Sequence, residues 1–206
     1  MRRSRAHRPS LASRIQARLA GLYGVDAPDV DDFVRRSSKG REVLEVRENE
    51  DGIELALYLP SKAFARPEAQ SLDVVCQVVE GVSHFVYVVE RARRELPTTQ
   101  LELELQAEVD KFVVLALATR RDDGAIDLER VRALRERLFE RVRFLHPEGT
   151  EPGDRYRLAN RVAAQFATSL LHVLQGDARA PARMTSVLRR FFEAGLREKL
   201  EIARAA

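Results

Sequence analysis

Between residues 99 and 118 the chain carries apolar side chains on almost every side of a helix. At about 100° per residue, Leu101, Leu105, Val109, Phe112 and Ala116 make one face, and Leu103, Ala107, Val114, Leu117 and Ala118 cover much of the opposite one. Such a helix has to be surrounded by other elements, which predicts a mainly α fold. Thr99 and Glu102, directly after Pro97, form a capping box that starts it. Leu101, Leu103 and Leu105 alternate with Glu102 and Glu104 as a strand would. The box and the continuation to Ala118 favour a helix over 99–120.

The rest of the chain supplies the neighbours. Ser10 can cap a helix over 11–23, ended by Gly24 and Pro28, with a short helical turn around 29–36. Further helices are expected over 71–95, 127–145, 154–175 and 182–203. Asp127 and Asp154 are the expected caps of two of them, and Gly176 is a stop signal. Gly81, inside the first of these, costs about 1 kcal/mol against Ala and marks a close approach. Residues 43–59 switch to a period of two around Glu-Asn-Glu-Asp-Gly, the signature of a β-hairpin. The fold class that follows is a helical bundle of five to six helices with an N-terminal hairpin packed against it. Residues 10–206 are read as one domain behind a disordered basic tail at 1–9.

Charge and composition narrow the function. The net charge is +3, but Arg2, Arg3, Arg5 and Arg8 lie in the tail, and the other 31 basic residues against 32 acids leave the body at −1. A neutral body argues against a phosphate-binding surface, so nucleic acid is expected only through the tail. Arg130, Arg132, Arg135, Arg137, Arg141 and Arg143 are interleaved with Glu129, Glu136 and Glu140, as on a solvated amphipathic helix. Cys76 is the only cysteine and reads as a small core hydrophobe in a reducing compartment. No apolar stretch approaches the roughly 18 residues of a membrane span. Residues 1–25 hold arginine and serine but no acid, as presequences do. The bias of 31 arginines against four lysines points instead to a bacterial, cytoplasmic protein.

One polar constellation stands out. Glu102, Gln106 and Asp110, spaced four apart, run between the two apolar faces of the 99–118 helix, while Glu104, Glu108 and Lys111 form a second strip expected to face solvent. On the preceding helix Asp73, Gln77, Glu80, His84, Tyr87 and Arg91 share one stripe. The short connection makes the two helices antiparallel neighbours, bringing His84 or the charge partner Arg91 within reach of the acids. Three readings of Glu80, His84, Glu102, Gln106 and Asp110 stay open: a solvated edge, a buried structural network, or a site for a small molecule or metal. Glu80 and His84 do not match the Glu-x-x-His spacing of two-metal bundles, so no metal or cofactor is assigned. Ser83 in Gly-Val-Ser-His-Phe lacks the strand–turn–helix setting of a nucleophile, and no phosphate-cradling loop occurs. With no catalytic residue nominated, the expected function is a non-enzymatic interaction or regulatory protein with a protein partner.

Overall fold

The computed structural model describes residues 9–50, 52–175 and 180–205. The arginine tail and Gly176 lie outside them. Helix α1 (Leu11–Tyr23) starts on the Ser10 hydroxyl, which accepts from Ser13 N, and stops at Gly24, whose φ of 71° lets its N–H turn back to Ala20 O. A 3-10 turn at Val30–Asp32 leads into β1 (Val34–Arg36), so the expected helical turn over 29–36 is half turn and half strand. The hairpin follows as β2 (Val43–Asn49) and β3 (Gly52–Leu59). Strand order is β1-β3-β2, with β1 parallel and β2 antiparallel to β3. Strand β1 was not foreseen; three residues show no period, and it exists because β3 offers it a free edge.

Helices α2 (Leu72–Arg93) and α3 (Gln100–Ala118) form the antiparallel pair, and α3 begins on the complete Thr99–Glu102 capping box. Helix α3 is central, its Leu105, Val109, Phe112 and Val113 all buried. Helix α2 is long and apolar enough to cross a membrane, which corrects the expectation that no such segment exists. Here it packs between α1, α3 and β3, and more than half of its apolar window is buried. Gly81 lies where α2 meets the sheet: a Cβ there would sit 2.7 Å from both Leu57 Cδ1 and Glu42 Cγ. Gly81→Ala is therefore expected to cost about 1–3 kcal/mol by overpacking, read as a lower urea midpoint at unchanged m-value.

The helix expected over 127–145 ends early. Asp127 caps α4 (Leu128–Arg135), a π turn follows at Glu136–Glu140, and the chain then leaves the helix. The wide turn, closed by Arg141 N on Glu136 O at 3.1 Å, lets buried Phe139 reach Phe112, ring centroids 6.0 Å apart. Pro147 disfavours helix in the residue before it. His146 serves no helix end; it stacks on Tyr156 at 5.7 Å. Helix α5 (Glu151–Leu174) starts earlier than expected, capped by Thr150 rather than Asp154, with Pro152 in the first turn where its missing N–H costs nothing. The last expected helix is two, α6 (Ala180–Glu193) and α7 (Leu196–Ala205), broken at Gly195 so that α7 folds back onto the core. Among the described residues seven α-helices, rather than the five to six expected, and a small three-stranded sheet realise the expected mainly α architecture.

Candidate functional site

The five candidate residues do not converge. They fall on opposite sides of α3, into an internal network and an open cleft.

Glu102, Gln106 and Asp110 are withdrawn from water at 3%, 0% and 1% exposure. Glu102 is an end-cap: Oε2 accepts from both N and Oγ1 of Thr99 at 2.8 Å, and Oε1 lies 3.6 Å from Arg91 NH2. Arg91 also donates to Pro97 O through Nε and NH2, at 3.1 and 2.6 Å, bracing the α2–α3 turn. Asp110 accepts from Ser83 Oγ at 2.6 Å, from Gln106 Nε2 at 3.0 Å, and from the Tyr23 hydroxyl. The carbonyl of Gln106 in turn accepts from Lys199 Nζ at 2.6 Å, so its amide bridges a carboxylate and an amine. Lys199, fully buried, also donates to Phe191 O at 2.6 Å and lies against the rings of Tyr87 and Phe191. Burial raises the Asp110 carboxyl to about 6 against the pull of its three donors. Burial lowers Lys199 to about 7, opposed by the charges of Asp110 and Glu102. Glu102 Oε1, with Arg91 beside it, is buried without a hydrogen bond, and the Gln106, Asp110, Ser83, Tyr23 and Lys199 side chains bond to one another as a structural network does. Tyr23 and Lys199 were not anticipated, and Ser83 is a donor to Asp110 rather than a nucleophile.

Glu80 and His84 face the other way, into a cleft of about 1270 Å³ between β2, α2, α3, the start of α5 and the segment after the π turn. The strip of Glu104, Glu108 and Lys111, expected in solvent, is the floor of this cleft: Glu104 is buried and the other two are half-buried. The hairpin and Tyr156 cover it, and nothing in the strip's own pattern records that. Lys111 Nζ bridges Glu80 Oε2 at 3.1 Å and Glu108 Oε1 at 2.9 Å, and the two acids hold its ammonium well above the usual lysine range despite burial. His84 Nδ1 faces Glu42 Oε1 at 3.4 Å, while buried Nε2 has no hydrogen-bond partner among the described residues. Burial opposes the imidazolium, but Glu42, with Glu80 and Glu104 beyond it, lifts it to about 9. Burial raises Glu104 to about 7, moderated by His84 and by a hydrogen bond from Tyr156. The half-buried thiol of Cys76 on the cleft wall is pushed up to about 11 by burial, so it is a poor nucleophile.

The His84–Glu42 pair has a pH signature. A raised imidazole contributes stability that is complete below its unfolded value near 6.5 and disappears as pH climbs through about 9. An NMR titration of the His84 ring is expected to find its midpoint well above 6.5, and Glu42→Gln to bring it down. An unchanged midpoint in the variant would refute the pairing.

Among the described residues no group of three His, Cys, Asp or Glu side chains is placed to hold a metal ion. The chain matches no family model, no curated protein and no solved structure.

Proposed function

We propose that this protein is a non-enzymatic interaction module that captures an extended segment of a protein partner in the cleft, as an added strand on β2. The observation that carries the reading is that β2 is an edge strand bounding the cleft. Among the described residues its only backbone ladder is with β3. Val43 and Leu44, which leave opposite faces of a strand, both line the cavity, so its wall includes the strand's outer edge. An open edge is a template for strand addition, with main-chain hydrogen bonds giving affinity and flanking pockets giving specificity. Size favours a segment too, since pockets for small compounds usually hold about 300–1,000 Å³. The lips supply apolar contact: Leu145 is 79% exposed, Val46 43% and Val142 38%.

The test is selection of linear peptides from a displayed random library, followed by amide shift mapping on the ¹⁵N-labelled protein. Shifts concentrated on residues 43–49 and the cleft wall support the reading. Proline at Glu45 and at Val46, tried separately, should discriminate further, because only one of two consecutive residues directs its N–H outward. That variant is expected to weaken binding at least tenfold while leaving the sheet intact. Selected peptides whose shifts fall elsewhere, or a library that yields no binder, would overturn it.

A further inference from the structure

The floor of the cleft carries more acid than base. Glu42, Glu80, Glu104 and Glu108 face His84 and Lys111. Lys111 is shared by Glu80 and Glu108, and His84 sits on Glu42. That leaves Glu104, 6% exposed, with the Tyr156 hydroxyl on it and no ion pair among the described residues. Arg155 on α5 acts on it only through its charge: its NH1 is 2.5 Å from Glu151, and its buried Nε has no hydrogen-bond partner among the described residues. The Lys111 ammonium held between two carboxylates shows what this floor accepts, and the place beside Glu104 lacks such a group. His84, 9% exposed, adds an independent sign of a missing ligand: its Nε2 is buried on the cleft wall without an acceptor. An extended segment has what both require, since its carbonyls accept hydrogen bonds and its side chains alternate toward the floor.

Resting on the docking reading above, we propose that the cleft selects a lysine or arginine side chain in the incoming segment, the cationic head seating on Glu104 beside Tyr156. A segment with an acid at that place meets four carboxylates against two cations, and one with an apolar residue leaves Glu104 with no direct ion pair beyond the nearby charges of His84 and Arg155.

Proton linkage follows. Glu104 must be ionised to hold the cation, and it carries a proton on much of the free protein near neutral pH. The groups around it are Glu42 from the strand end, Glu80 and His84 on α2, Glu108 and Lys111 on α3, and Arg155 and Tyr156 on α5. Of these, His84 keeps its charge up to about 9, and Lys111 keeps it throughout. Preference for the cation should therefore strengthen as pH rises from 6 through about 7, with release of a proton on binding.

The experiment uses four fluorescein-labelled decapeptides of alternating Thr and Val that differ only at one central position: Lys, Arg, norleucine or Glu. Anisotropy titrations are expected to show the Lys and Arg peptides binding at least tenfold more tightly than the norleucine peptide, and the Glu peptide weakest. Glu104→Gln, near-isosteric and without a buried charge to keep, should retain the melting temperature while bringing the Lys, Arg and norleucine peptides to the same affinity. Tyr156→Phe should reduce it. Equal binding of all four peptides, or discrimination that survives in Glu104→Gln, overturns cation selection while leaving strand addition standing. No binding by any of the four overturns both. Butylamine displacing the Lys peptide at the peptide's own affinity supports the cation seat and removes the added strand.

Discussion

Asp110→Ala is expected to destabilise the protein by about 3–5 kcal/mol, the largest loss of any single polar substitution. The reason is the number of donors it strands. Ser83 Oγ, Gln106 Nε2 and the Tyr23 hydroxyl all end on this one carboxylate and all are buried; of the three, only Gln106 Nε2 keeps another acceptor, the Tyr23 oxygen at 3.2 Å. Each orphaned buried donor costs about 1–3 kcal/mol, and Lys199 loses the negative charge that helps keep its ammonium in the core. Asp110→Asn keeps the shape and one acceptor and should lose roughly half as much. Ser83→Ala alone should cost about 1–2 kcal/mol and should cost almost nothing once Asp110 is gone, because the pair shares one interaction. Urea denaturation of the parent and the four variants at pH 7 measures all of this. A fully additive cycle would show that Ser83 and Asp110 are not bonded.

The second large effect is a change of slope rather than of level. Lys199 is depressed from 10.5 to about 7, so between those values the unfolded chain holds a proton that the folded one has shed. Stability attributable to this residue therefore rises with pH across the window, by at most about 1.4 kcal/mol per pH unit for one proton. Lys199→Met keeps the volume and removes the titration. Its stability, plotted against pH from 6 to 10, should rise less steeply than that of the parent, and His84 and Cys76 titrate in both proteins and cancel from the difference. Below about pH 7 the variant gains by shedding a buried charge; above it the parent gains by keeping its hydrogen bonds to Gln106 and Phe191. The two curves are expected to cross. Parallel curves would place the Lys199 amine in contact with water.

What the sequence disclosed was whatever has a period or a cap. The wrap-around apolar pattern of 99–118 announced a central helix, the Thr99–Glu102 box marked its first turn, and Gly81 stood at a true close approach. Burial of the Glu102–Gln106–Asp110 line followed from the same wheel. Partners could not, since Tyr23 and Lys199 come from elements 83 and 93 residues away from Gln106, and periodicity does not say which distant helix docks where. Glu104, Glu108 and Lys111 were misread for a related reason: a polar strip on a helix looks the same whether water or a hairpin lies over it. One trace was present. In a chain that uses arginine 31 times and lysine four, Lys111 is half-buried between two carboxylates and Lys199 fully buried, places suited to a compact point charge. The early end of the helix after Arg135 was not legible, because Pro147 restricts only the residue before it and the arginine-rich amphipathic pattern runs on to 145.

The Lys199 amine also bears on the order in which the chain is made. The central helix is synthesised with its amide and carboxylate already in place, yet the amine that completes their circuit emerges 93 residues later. Until then the nascent bundle holds a half-finished polar interior, which is less favourable than none. Closure therefore waits for the helix that carries Lys199, a loop-closure step of 93 residues that favours a slow, late commitment to the native state.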